Sequence, residues 1–154
     1  MLISRVAAAF RKGGVPFAVV GGYAVALHGA VRGTVDLDLI LRLRRKDFIA
    51  AAEALAGLGL KPKLPVTAGE VFDFRKEYIA RRNLVAWSFW NPTDPSEMVD
   101  VVITHDLAKM DVVTLRLGGE GVPVVSRKDL IAMKKESARP QDLEDVKALE
   151  SLDR

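Results

Sequence analysis

Three carboxylates stand out because each interrupts an apolar, strand-like run. Asp36 and Asp38 alternate with Leu37 and Leu39 in VDLDLIL (35–41), and Asp100 sits in the middle of MVDVVI (98–103). Side chains on a strand alternate faces, so Asp36 and Asp38 share one face with Cα atoms roughly 7 Å apart. An ionised carboxylate among residues as apolar as Met98, Val99, Val101 and Val102 is costly to bury unpaired, so Asp100 either faces solvent or meets a cation. If its strand lies beside 35–41, three carboxylates converge. Alone they repel and raise one another's pKa values. Around one or two magnesium ions they become oxygen ligands, as phosphoryl or nucleotidyl transfer requires.

Gly21-Gly22 supplies the second half of such a site. The pair follows the apolar run Val15 to Val20 and precedes a short helical stretch, Tyr23 to His28. Glycine lets backbone approach a ligand closely, and a helix start offers unsatisfied N–H groups, so the bend is a sensible phosphate cradle. Each half has a plain alternative. Gly-Gly turns are common in loops, and an Asp-x-Asp strand can simply be a solvated face. The combination is more specific than either part.

The elements that must position these residues follow in order. Leu2, Ile3, Val6 and Phe10 keep helical spacing up to a stop at Gly13-Gly14. The runs 15–20 and 35–41 read as strands, and an Ala-rich helix at about 46–58 carries one apolar stripe (Phe48, Ile49, Ala52, Leu55, Ala56). Val71, Phe74 and Tyr78 suggest a short helix. Asn83 to Trp90 reads as a strand, joined through the turn NPTDPSE to the strand 98–103. Val112 to Leu117 and Val122 to Val125, linked by GGEG, form a hairpin. Ser126 with Asp129 starts a helix running to about Glu136. Pro140 suits the first turn of a last helix whose expected buried stripe is Leu143, Val146 and Leu149. No repeat or linker is visible, so one domain is expected, with a core at about 1–125 and C-terminal helices at about 126–152.

Composition narrows the chemistry. With 154 residues, 49% of them apolar and 28% charged, the chain can bury a real core. Zero cysteines exclude disulfides, zinc–thiolate sites and thiol catalysis, and two histidines make a His-rich metal site a poor fit. No apolar run reaches the roughly 20 residues of a membrane span. MLISRVAAAFRKGG lacks a signal peptide's charge order, so the expected compartment is the cytoplasm. A net charge of +3 suits polyanionic ligands without demanding them.

Taken together, Gly21-Gly22, thirteen intervening residues and then Asp36-Leu37-Asp38-Leu39 resemble the signature of the DNA polymerase beta-type nucleotidyltransferase superfamily. MVDVVI resembles the later strand that carries its third acid. GGYAVALHG, RGTVDLDL and DLIAMKKESARPQDLEDVKAL are similar to small bacterial nucleotidyltransferase-like proteins related to abortive-infection toxins and lincosamide-type nucleotidyltransferases. The likeness covers about 15–41 and 98–149; residues 60–97 do not align. It implies an α+β fold with an α/β-like opening: a mixed central sheet, flanking helices and a short C-terminal helical pair.

The resemblance further implies that Asp36, Asp38 and Asp100 hold magnesium, or manganese in its place, with Asp100 either a third ligand or the base for the acceptor hydroxyl. Gly21 and Gly22 would hold the β- and γ-phosphates of a nucleoside triphosphate such as ATP, with Arg32, Thr34 and Lys134 as further contacts. Each of those three has a mundane reading: an ion pair for Arg32, a strand opener in Thr34, a solvated helix face for Lys134. Arg139, Asp142 and Asp145 read as interhelix salt bridges. His28 and His105 read as structural, and Trp87, Phe89 and Trp90 as core or interface rather than base-stacking. The implied reaction moves a nucleoside monophosphate to an unknown hydroxyl acceptor (protein, tRNA or small molecule). After Asp100 only 54 residues follow (154 minus 100), so the acceptor side of the cleft falls to two short helices, a dimer mate or a small helical partner protein. The competing function is a non-catalytic toxin–antitoxin component that binds a protein or RNA.

Overall fold

Four consecutive buried residues, Phe17–Val20, form the strand β1 at the middle of the sheet. In a computed structural model, which describes residues 1–30 and 36–152, helix α1 (Leu2–Lys12) precedes it and α2 (Gly21–Leu27) follows without a break. Gly21 and Gly22 therefore belong to the first turn of α2 rather than to a bend before it. Strand β2 (Leu37–Leu41) returns antiparallel to β1. Its expected opening residue, Val35, lies outside the described residues.

Helix α3 (Arg45–Gly57) forms where the Ala-rich run was expected to be helical, but its buried face is Asp47, Phe48, Ala51 and Leu55, with Ala56 exposed; the short β3 (Lys61–Pro62) follows. The apolar spacing near Val71 resolves into two helices, α4 (Ala68–Asp73) and α5 (Arg75–Arg82). Thr67 separates α4 from the preceding loop: its hydroxyl accepts from Glu70 N, and Glu70 accepts from Thr67 N, a reciprocal cap. Strands β4 (Ala86–Asn91) and β5 (Asp94–Val102) form the expected antiparallel pair, with a turn tighter than NPTDPSE suggests. A hairpin, β6 (Val112–Leu117) and β7 (Glu120–Val125), precedes α6 (Arg127–Ser137) and α7 (Pro140–Ser151).

The strands make one mixed sheet in the order β3-β4-β5-β2-β1-β7-β6. Strand β2 runs parallel to β5, and β1 parallel to β7, while the other pairings are antiparallel. Alternation assigns the faces. Trp87 and Phe89 point to one side, where Phe48 of α3 stacks on Trp87 at 5.8 Å and meets Phe72 of α4 edge-on at 5.4 Å. Both rings are buried, so Trp87 and Phe89 are core, as expected of them. Ala86, Asp100 and Val102 point to the opposite side, where a cleft opens against α6.

The C-terminal helices depart from expectation in one respect. Val146 and Leu149 are buried, but Leu143 is 48% exposed, and Asp142 and Asp145 are buried in its place. The apolar stripe is incomplete because Lys134 of α6 lies against that face of α7 and pairs with both acids. Among the described residues no helix is long and apolar enough to cross a membrane.

Phe48 joins α3, α4 and the sheet, so Phe48→Ala should cost about 3–5 kcal/mol, the range for a buried aromatic truncated to Ala. Urea denaturation followed by tryptophan fluorescence measures it directly.

Candidate active site

The parallel register of β2 and β5 sets Asp38 directly beside Asp100, and the β1–β2 register sets Val20 beside Asp38. Gly21 is the next residue. It has a positive φ of +69°, and a Cβ built there would collide with the Asp38 carboxylate. Only glycine satisfies both conditions, so the backbone at the start of α2 abuts the carboxylate pair.

The electrostatics match that crowding. The Asp38 carboxyl is pushed up from 3.8 to about 7, mostly by burial, then by the Asp100 charge, then by that of Asp36. A hydrogen bond with Asp100 adds to the rise, and only the Lys134 charge works against it. One oxygen of Asp100, Oδ1, is buried with no hydrogen-bond partner. Buried oxygens are normally satisfied, so this orphan marks a place where a donor or cation belongs.

The three expected carboxylates do not all meet. Asp36 lies just before β2, is exposed, and lines a separate hollow of about 300 Å³ with Tyr23 and Met98. Its charge reaches Asp38, but among the described residues no three acids or histidines gather closely enough to hold a metal ion. Asp36 precedes β2, which begins at Leu37, so it is not one of the strand residues whose register sets Asp38 beside Asp100. Arg32 and Thr34 lie outside the described residues. Gly22 is buried within α2.

Lys134 is buried rather than on a solvated face. Its Nζ lies 2.9 Å from Asp145 Oδ2 and 3.3 Å from Asp142 Oδ1, which ties α6 to α7 as an interhelix salt bridge. Asp142 is also held by Arg139, whose backbone N and Nε donate to Oδ2 at 3.1 and 2.8 Å. Burial raises the Asp142 carboxyl, but the Arg139 bonds and the Lys134 charge outweigh it and leave the pKa below the usual value. Lys134, Arg139 and Asp142 line the same cleft as Gly21, Asp38 and Asp100, and the cleft has a volume of about 560 Å³. That volume falls within the range of small-molecule sites.

Several lining residues were not anticipated. Asn83, Val85 and Thr104 belong to the cleft, as does His105, which bonds Thr104 Oγ1 through Nδ1 at 2.8 Å and Glu136 through Nε2 at 3.3 Å. His28, by contrast, donates from Nε2 to Val125 O at 2.9 Å and is structural, as read. Asn83 was expected to open a strand, but it is the left-handed cap that ends α5, and β4 starts at Ala86; an Asn directly after a helical run is the signal that could have shown this.

Two consequences are measurable. Because the folded pKa of Asp38 exceeds its unfolded value, the protonated form is favoured on folding, and that stabilisation is lost as pH rises from about 4 through about 7. In metal-free buffer the melting temperature of Asp38→Asn, relative to wild type, should therefore rise across that window and level off above it. A flat difference from pH 4 to 8 contradicts the assignment. Lys134→Met should cost about 3–5 kcal/mol in urea denaturation, because it removes the buried cation that pairs with Asp145 and shares Asp142 with Arg139.

No protein-family model matches the chain, and none of the curated proteins matches it. Solved structures do. The chain is similar to the solution structure of the antibiotic-resistance factor ANT(2'')-Ia (TM-score 0.65, 14% identity, covering 96% of this chain and 80% of that one). It is also similar to the crystal structure of ANT(2")-Ia in complex with adenylyl-2"-tobramycin (TM-score 0.61, 15% identity, 96% and 85%). A third is the lincosamide antibiotic adenylyltransferase LnuA, lincomycin-bound (TM-score 0.58, 12% identity, 93% and 90%). The mixed seven-stranded sheet, its flanking helices and these likenesses identify the nucleotidyltransferase fold.

Proposed function

We propose that the protein is a metal-dependent nucleotidyltransferase that moves a nucleoside monophosphate from a nucleoside triphosphate to a hydroxyl acceptor. One observation carries the reading: two register-paired carboxylates share a cleft with the opening glycine of α2 and a buried lysine. The fold it shares with the lincosamide antibiotic adenylyltransferase LnuA and with ANT(2")-Ia, solved with adenylyl-2"-tobramycin, supports it.

Asp38 and Asp100 fit a divalent cation. Their carboxylates are crowded enough to raise the Asp38 pKa, and Asp100 Oδ1 is an orphaned buried acceptor. Magnesium, or manganese, would be held by this pair. Asp36 contributes charge from its own hollow, and a role as third ligand would require it to turn toward the pair. When bound, the ion supplies positive charge that neutralises the triphosphate and the charge developing in transfer.

The chain's own groups do the rest. Gly21 brings backbone close to the phosphates, with no side chain there to block them, while Gly22 is buried within α2 and supports that turn from behind. Lys134 is a cation held in place by Asp142 and Asp145, so little side-chain freedom is lost when it meets an anion. The acceptor oxygen forms a bond to the α-phosphorus while the bond from that phosphorus to the bridging oxygen breaks. Pyrophosphate leaves, and Asp100 takes the hydroxyl proton. Catalysis rests on positioning and charge stabilisation rather than on a covalent intermediate. A basic surface of +3 suits the anionic substrate.

Calorimetry of ATP binding with and without magnesium tests the reading. Wild type should bind only with metal, and Asp38→Asn and Asp100→Asn should each lose that binding. Metal-independent binding that survives both substitutions would remove the catalytic reading.

A further inference from the structure

The seven-stranded sheet ends in two unlike edges. At one, β3 is two residues long, Lys61 and Pro62, with Lys63 next. Short length, proline and lysine are the usual means of keeping a strand edge from pairing with another chain. At the other edge β6 runs for six residues, Val112–Leu117, with no proline. Val112 and Val113 are 42% and 38% exposed, one on each face of the strand. The strand's single charge, Arg116, turns along the hairpin and donates to Gly119 O at 2.8 Å. Among the described residues only β7 pairs with β6.

The hairpin turn tells which backbone groups of β6 are free. Gly118 and Gly119 join β6 to β7, and their φ values of +58° and +87° are those of a two-residue turn matched to the twist of a hairpin. The residues flanking such a turn, Leu117 and Glu120, exchange both backbone hydrogen bonds, and bonded pairs then alternate along the ladder. Leu115 and Val113 therefore also bond to β7, whereas Val112, Thr114 and Arg116 direct their N–H and C=O groups outward. Pro123 agrees with this phase: it lies opposite Thr114, where no N–H toward β6 is needed. The edge thus offers Val112, Thr114 and Arg116, each with an outward donor and acceptor, to a further strand.

We infer that β6 is the docking surface for a second copy of this chain, the two β6 strands pairing antiparallel about a two-fold axis at Thr114. An antiparallel ladder is self-complementary, so one edge serves both copies and the assembly closes at two. Centred on Thr114, the bonded pairs are Thr114 with its own counterpart and Val112 with the partner's Arg116, while Val113 meets the partner's Leu115 on the other face. Both exposed valines are covered, two threonines meet at the axis, and the arginines lie at opposite ends of the ladder rather than facing each other. The joined sheet then ends only in β3 edges, already blunted by Lys61 and Pro62. Seven strand spacings, roughly 34 Å along the sheet, separate the two β2 strands that carry Asp38. The partner therefore completes neither cleft, and the inference is independent of the reaction proposed above.

Light scattering on the wild type at increasing concentration should show a monomer passing to a dimer of twice its mass. Thr114→Lys and Thr114→Glu each set two like charges face to face at the axis, from an exposed position whose backbone does not bond to β7. Each should weaken the dimer at least about tenfold. Mixed in equal amounts, the two variants should restore a dimer containing one of each, since lysine then faces glutamate. A wild type that stays monomeric at every concentration, as an edge that serves some other strand or none requires, overturns the inference. Variants that dimerise as the wild type does overturn it equally. A mixture that stays monomeric while the wild type dimerises overturns the pairing about Thr114.

Discussion

Two carboxylates placed side by side by a parallel strand register are the constraint around which this molecule is organised. Neither Asp38 nor Asp100 can move away, because each is fixed in the middle of a seven-stranded sheet with buried neighbours on both sides. Close like charges in a partly desolvated place repel, and the protein answers by holding a proton on Asp38 up to about neutral pH. A fold that needed only a stable sheet gains nothing from that arrangement. It carries two acids where apolar residues would serve, and it gives up a side chain at Gly21 to make room for one of them.

The surrounding elements follow from accommodating this pair. Helix α2 starts at the carboxylates because β1 ends there and Gly21 can take the positive φ that the turn requires. On the far side of the cleft, Lys134 brings the compensating charge, yet it does so from a buried position that needs acids of its own. Asp142 and Asp145 supply them, and Arg139 holds Asp142 in turn. The C-terminal helices are consequently joined by charge at the cleft wall as well as by apolar packing around Leu130 and Leu149. The same charge network that joins α6 to α7 fixes the position of the buried cation.

How much of this could be read from the sequence depends on how local each signal is. Gly21-Gly22 before a helix and DLDL on a strand are local patterns, and their partner strand announces itself through one acid in MVDVVI. The hairpin at 112–125 and the Ser126 cap were legible for the same reason, since each rests on neighbours in sequence, whereas the mixed sheet, whose parallel pairs join β1 to β7 and β2 to β5, followed only from the family resemblance. Asp36 lies one residue before strand β2 and lines a hollow built by residues of α1, α2 and β5, a placement that depends on elements far apart in sequence. Leu143 looked like core by helical spacing alone. The stripe it belonged to is taken over by Asp142 and Asp145, and only the position of Lys134 on another helix explains why. Asn83, read as the opening of a strand, is instead the left-handed cap of α5, and β4 begins only at Ala86.

Anomalous diffraction from crystals soaked with manganese and a non-hydrolysable nucleoside triphosphate tests the central claim most directly. A cation peak bridging Asp38 and Asp100 beside Gly21, with phosphate density over the start of α2, is the predicted result. Nucleotide bound in the cleft with no cation at the two carboxylates, or a cation held elsewhere on the molecule, contradicts it.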